Sequence, residues 1–134
     1  MTTTELFDFE EFPVLETERL ILREMTLEDA AAVLRIRGDY EVTRYNGGAP
    51  YTRLDQAVAL IEGIANAYQD KRSVRWGITL KGEDTVVGMC GYNYWIRQDY
   101  RGSIGYDLAR AYWGQGIMPE AIRAIIQFGF EPMP

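Results

Sequence analysis

Three β-rich runs crowd the middle of this 134-residue sequence: "SVRWGITL" (73–80), "TVVGMCGYNYWI" (85–96) and "SIGYDL" (103–108). The polar links between them, "KGED" and "RQDYRG", are short. The first two runs read as a hairpin and the third as a further strand of the same group, so the sheet is expected to be mostly antiparallel. Period two sets Ile104, Tyr106 and Leu108 on one face of the third strand and Ser103, Gly105 and Asp107 on the other.

Helical patterns flank that group. "RLILREM" (19–25) reads as an earlier strand, and "TLEDAAAVLRIRGD" after it as a helix with Thr26 and Asp29 at its start and Gly38 at its stop. Residues 39–51 read as a loop, broken by Asn46-Gly47-Gly48 and Pro50. Thr52 and Asp55 suggest the cap of a second helix, with Leu54, Val58, Ile61, Ala65 and Tyr68 at helical spacing. In the last helix Met118, Ala121, Ile122, Ile125 and Ile126 form the apolar stripe, opposite Glu120, Arg123 and Gln127. The order β-α-α-β-β-β-α predicts an α/β (α+β) layer fold, a mostly antiparallel sheet with helices on both faces.

The totals exclude several function classes. Lys and Arg number 14 against 20 Asp and Glu, a net charge of −6 with no basic run, which argues against nucleic acid or anionic membrane as the main partner. The sequence contains no histidine and one cysteine, Cys90, so histidine triads and cysteine zinc cages are out and no metal is expected. Cys90 lies in an apolar run and reads as a buried small hydrophobe. The acidic N-terminus does not read as a signal peptide, and no 18-residue apolar window suggests a membrane span. The cytoplasm is the expected compartment.

One segment carries chemistry. Trp113-Gly114-Gln115-Gly116-Ile117-Met118 joins a strand end to a helix start. Glycines there admit a ligand close to the backbone, and the unpaired N–H groups of a first helical turn attract an anion. Pro119 fits an early helical position, at the cost of one donor. A P-loop would need lysine after the second glycine, and this chain has Ile117 and Met118 there. A dinucleotide fingerprint would need glycine in place of Pro119 and a later acidic residue that the sequence does not reach.

"LETERLILRE", "SIGYDL" and "YWGQGIMPEAIRAIIQFGFE" together resemble the RimJ/RimL branch of the GNAT N-acetyltransferases. The matching positions are Thr17, Arg19, Leu20, Leu22 and Arg23, then Ile104, Gly105 and Tyr106, then Trp113, Gly114, Gly116, Glu120 and Ala121. Met118 departs from the small residue usual at that point of the turn. The resemblance starts at about residue 14, making 1–13 an N-terminal extension and 14–134 the domain.

The resemblance implies transfer of acetyl from acetyl-CoA, as co-substrate, to a primary amine, either a protein α-amine or a small amine. It assigns the pyrophosphate to the backbone of Gly114, Gln115, Gly116, Ile117 and Met118 beside Trp113, and the pantetheine arm to the strand of Tyr106, Asp107 and Leu108. Such transfer needs a neutral amine, a stabilised oxyanion and a protonated leaving thiolate. Without histidine the base must be a carboxylate, acting directly or through water: Asp107 or Glu24. Asn93, Tyr94 and Tyr100 are candidates for orienting the amine, and Tyr45 and Asn46 stand in the loop where the family selects its acceptor.

Family members continue beyond this helix with a further strand, a helix and closing strands. The expectation is therefore an incomplete domain with an uncovered strand edge, prone to pair with another chain as a dimer or larger. A non-catalytic CoA-binding or dimerisation module is the alternative to an enzyme.

Overall fold

A computed structural model describes residues 12–44, 48–96 and 101–130. Five strands, β1 (Leu15–Glu16), β2 (Leu20–Arg23), β3 (Val74–Leu80), β4 (Gly88–Ile96) and β5 (Arg101–Leu108), form one sheet in the order β1-β2-β3-β4-β5. Every pairing is antiparallel, as the short links required. Between β2 and β3 come α1 (Ala30–Arg37), α2 (Tyr40–Thr43) and α3 (Leu54–Gln69), and α4 (Ile117–Phe130) follows β5.

Alternation along the strands builds a core on each face. Leu20, Leu22, Val74, Trp76, Ile78, Cys90 and Tyr92 pack against Ile117, Met118, Ala121 and Ile125 of α4. On the other face Met89 and Val86 meet Val33 and Ile36 of α1 and Ala57 and Ile61 of α3. Trp76 anchors the first core at 0% exposure, its indole stacked edge-on against Phe128 at 5.4 Å and donating to the Pro13 carbonyl at 2.7 Å. Residues 12 and 13 thus lie against the sheet, with Phe12 beside Tyr68 at 4.9 Å.

Local details correct the sequence reading. The strand expected at 19–25 is β2, Leu20–Arg23, with the unforeseen β1 before it, and a 3-10 turn at Leu27–Asp29 precedes α1. Thr26 and Asp29 do meet there, with the Thr26 N–H donating to the Asp29 carboxylate at 2.7 Å. The expected loop 39–51 contains the one-turn helix α2, because Asp39 in extended conformation accepts the Glu41 N–H at 2.9 Å and caps it. At α3 the cap comes from Gln56, whose Oε1 accepts from the N–H groups of Thr52 (2.8 Å) and Arg53 (3.0 Å), while Asp55 pairs with Arg53.

Two apolar stripes sit one step from their expected positions. Leu54 is 50% exposed and Ala57 takes the buried place in α3, and Ile126 is 39% exposed while Ile117 enters the core from α4. A stripe three residues wide in seven tolerates this rotation until the packing partner fixes it.

Candidate active site

The C-terminal end of β5, the turn after it and the start of α4 enclose a crevice of about 440 Å³. Tyr106, Asp107, Leu108, Trp113, Gly114, Gly116, Ile117 and Met118 line it, joined by Val42, Tyr112 and Pro119. Gln115 does not: its side-chain amide donates to the Ala111 carbonyl at 3.2 Å.

Backbone polarity follows from the ladder. The Ala109 N–H donates to the Val87 carbonyl at 2.8 Å, so the N–H groups of odd-numbered residues near this end of β5 face β4. Those of Tyr106 and Leu108 therefore face outward, where β5 has no partner strand among the described residues. The outward carbonyl of Leu108 is taken by the Trp113 indole N–H at 2.8 Å, which ties the turn to the strand end.

The turn itself uses both glycines as only glycine does readily: Gly114 has φ +76° and Gly116 φ +77°. The first helical bond of α4 runs from the Glu120 N–H to the Gly116 carbonyl at 3.2 Å. The N–H groups of Ile117 and Met118 precede that ladder, and Pro119 has none. They form the positive end of a 14-residue helix.

Beneath the turn lies a clamp built from residues 101 positions apart. Glu120 accepts the Thr17 hydroxyl, the Arg19 N–H (2.9 Å) and the Arg19 Nε (2.7 Å), and Arg19 Nη1 reaches the Gln115 carbonyl at 2.9 Å. The Thr17 hydroxyl above all, opposed by burial and helped by the N–H, side chain and charge of Arg19, pulls the Glu120 carboxyl down to about 2. Thr17, Arg19 and Glu120, quoted from separate stretches of sequence, are thus one structural unit.

The two expected carboxylates do not come together: Asp107 lines the crevice and Glu24 does not. Asp107 turns its side chain toward α1, where Arg37 grips one carboxylate oxygen through Nη2 (2.8 Å) and Nε (3.1 Å) and leaves the side chain 2% exposed. Glu24 is exposed one residue past the row Arg23–Gly77–Met89–Asp107, three strand spacings or roughly 14 Å from β5. Burial raises the Tyr68 phenol and the charge of Glu24 adds to that, placing Glu24 toward α3. Tyr94 pairs in β4 with Ser103 through its backbone. Its side chain lies outside the described residues, as do Tyr45, Asn46 and Tyr100. Asn93 is exposed on the α1 face of β4, bonded to Arg75 and Ser103. Cys90 is fully buried, its thiol pushed up to about 12 by burial against a small lowering by Arg75, so it is no nucleophile.

Sequence reasoning missed Arg37 and Arg75, and quoted Arg19 without a role. Only the register of the sheet brings them to this end of the molecule.

Residues 19–134 match the family model described as an acetyltransferase (GNAT) domain. The chain belongs to the GNAT acetyltransferase family. The uncharacterized N-acetyltransferase YoaA of Bacillus subtilis (strain 168) is 36% identical over 122 residues, 91% of this chain and 69% of that protein. The crystal structure of a GNAT-family acetyltransferase from Bacillus anthracis superposes with a TM-score of 0.75 at 22% identity, covering 88% of this chain and 66% of that one. RimL, a ribosomal L7/L12 alpha-N-protein acetyltransferase solved in complex with coenzyme A, superposes with a TM-score of 0.72 at 16% identity, covering 87% and 67%. This GNAT chain thus spans about two thirds of the length of these relatives. Among its described residues no helix is long and apolar enough to cross a membrane, and no group of acidic or cysteine side chains suits a metal ion.

Proposed function

We propose that this chain binds acetyl-CoA and transfers its acetyl group to a primary amine in the cytoplasm. One observation carries the reading: the outward N–H groups of Tyr106 and Leu108 and the orphan N–H groups at Ile117 and Met118 open into a single crevice. An extended amide-bearing arm fits the first pair as an added strand, and a pyrophosphate fits the second.

Bound acetyl-CoA would supply the thioester, whose acetyl carbon exchanges its bond to sulfur for one to the acceptor nitrogen. The chain's own residues bind and orient. The Leu108 N–H is the donor for the carbonyl oxygen as charge builds on it, Tyr106 and Trp113 wall the crevice, and the Arg19–Glu120 clamp holds the turn rigid. Asp107 acts in this reading as a positioning residue that fixes β5 through Arg37, the proton of the amine leaves to water, and the departing CoA thiolate takes a proton from water. Glu24, Tyr94, Tyr45 and Asn46 take no step in it, and Asn93 belongs to the acceptor side of β5.

Thiol release measured with acetyl-CoA and a panel of amines tests the proposal; turnover with at least one amine is the expected result. Binding of acetyl-CoA without turnover of any amine would favour the second reading, a CoA-binding module, which the engagement of Asp107 by Arg37 and the lack of any imidazole support. The edge of β5, without a partner strand among the described residues, also suits self-association as a dimer, and a concentration-independent monomer in analytical ultracentrifugation would count against that.

A further inference from the structure

The α1 face of β5 holds a cation that the acetyl-CoA crevice does not use. Arg75 of β3 faces Gly91 of β4, and Gly91 faces Gly105 of β5, so two successive strands carry no side chain in its row. The guanidinium reaches across that gap to Gly105. A Cβ placed on Gly105 would meet Arg75 Nη2 at 2.5 Å and Asn93 Oδ1 at 2.9 Å, while Gly91 is packed against the backbone of Val74 and Arg75. Asn93 Oδ1 accepts from Arg75 Nη2 at 3.0 Å, and the Asn93 amide reaches the Ser103 hydroxyl at 3.3 Å.

The charge there is unbalanced. Asp107, the nearby carboxylate, is already gripped by Arg37, and Arg75 makes no ion pair among the described residues. Burial pushes the Arg75 guanidinium down and the charge of Arg37 adds to this, against the pull of Asp107. Of the five N–H groups in its fork, one is engaged by Asn93. The exposed Asn93 and half-buried Ser103 form a polar lip open to solvent. A half-buried arginine whose fork keeps further donors matches the geometry of a carboxylate.

We propose that Arg75, laid across Gly91 and Gly105 and steadied by Asn93, receives a carboxylate of the amine acceptor and so selects carboxylate-bearing amines. Gly105 precedes Tyr106, so along the strand the anion lies one to three residues, about 3–10 Å, from the edge of Tyr106–Leu108. That is the separation between amine and carboxylate in a free amino acid or in a peptide with an acidic residue near its N-terminus.

The inference depends on the acetyl-transfer reading for the identity of its ligand, and its test does not. ¹⁵N–¹H spectra of the CoA-free chain are recorded during titration with N-acetyl-β-alanine, its uncharged carboxamide, and the peptide N-acetyl-Ser-Asp-amide. The Gly91 and Gly105 amides are expected to shift with an anion and not with the carboxamide, and the tighter anion names the source. Arg75→Gln, which removes the charge and the fork but keeps a polar side chain, should weaken anion binding at least ten-fold, with Arg75→Lys in between and circular dichroism unchanged. Equal binding of anion and carboxamide, no binding of either anion, or undiminished anion binding by folded R75Q overturns the proposal. If R75Q does not fold, the anion and carboxamide comparison in the unmodified chain decides it. Acetyl-CoA titration of the same samples judges the transfer reading separately.

Discussion

Replacing Glu120 with glutamine removes one charge and leaves the shape of the clamp under the glycine turn. In the unmodified chain this carboxylate accepts from Thr17 and twice from Arg19, and its side chain is 11% exposed against 44% for Arg19. Its carboxyl is held at about 2 instead of the ordinary 4.5. Each tenfold change in proton affinity corresponds to about 1.4 kcal/mol, so the full shift would be worth roughly 3 kcal/mol. Solvent around Arg19 screens the pair, and about 1–2 kcal/mol is the realistic share.

The sign is fixed by linkage. A folded-state value below the unfolded one means that the stabilisation is complete above pH 4.5 and fades as pH falls toward about 2. Urea unfolding of E120Q and the unmodified chain at pH 7, 4.5 and 2.5 should therefore give a gap of about 1–2 kcal/mol at neutral pH that narrows steadily on acidification. Comparing the two chains cancels other acid-sensitive pairs, notably Asp29, whose carboxyl burial would raise but Arg23 and the Thr26 N–H hold down. A gap that stays constant with pH would refute the assignment of the stabilisation to the charge on Glu120.

Gly116→Ala forces a Cβ into a backbone at φ +77°, which should cost about 1–2 kcal/mol and weaken acetyl-CoA at least ten-fold by calorimetry. Gly129→Ala drives a methyl group into the Tyr92 hydroxyl, which donates to the Ile125 carbonyl at 2.7 Å; thermal unfolding should show a loss of about 1–3 kcal/mol, partly recovered in the double variant with Tyr92→Phe. Arg37→Ala leaves the Asp107 carboxylate buried without its guanidinium and should destabilise by about 3–5 kcal/mol, with a smaller loss when Asp107→Asn is added.

Much of this architecture could be read from residue order. The crowding of three β-rich runs dictated antiparallel pairing, and period two alone turned Asp107 away from Tyr106, toward Arg37 as it proves. The glycines marked the turn as a place where a ligand could come close to the backbone, and the structure adds that Gly114 and Gly116 both take positive φ, which no other residue adopts cheaply. What stayed hidden is long-range. Arg19 meets Glu120 across 101 residues and Arg37 meets Asp107 across 70, and neither pairing has a local signature. The path of Arg75 over Gly91 and Gly105 depends on the register of two ladders, which no single strand encodes. Leu54 and Ile126 were misplaced because helical periodicity fixes a stripe only to within a residue, and Gln56 displaced the expected cap because its longer side chain reaches two N–H groups at once.

The most direct test of the central claim is an acetyl-CoA titration followed through backbone amide shifts. Binding at the strand edge and the helix start predicts saturable shifts at Tyr106, Leu108, Gly116, Ile117 and Met118 in the micromolar range. No shifts at high micromolar acetyl-CoA, or saturable shifts confined to other residues, would contradict it.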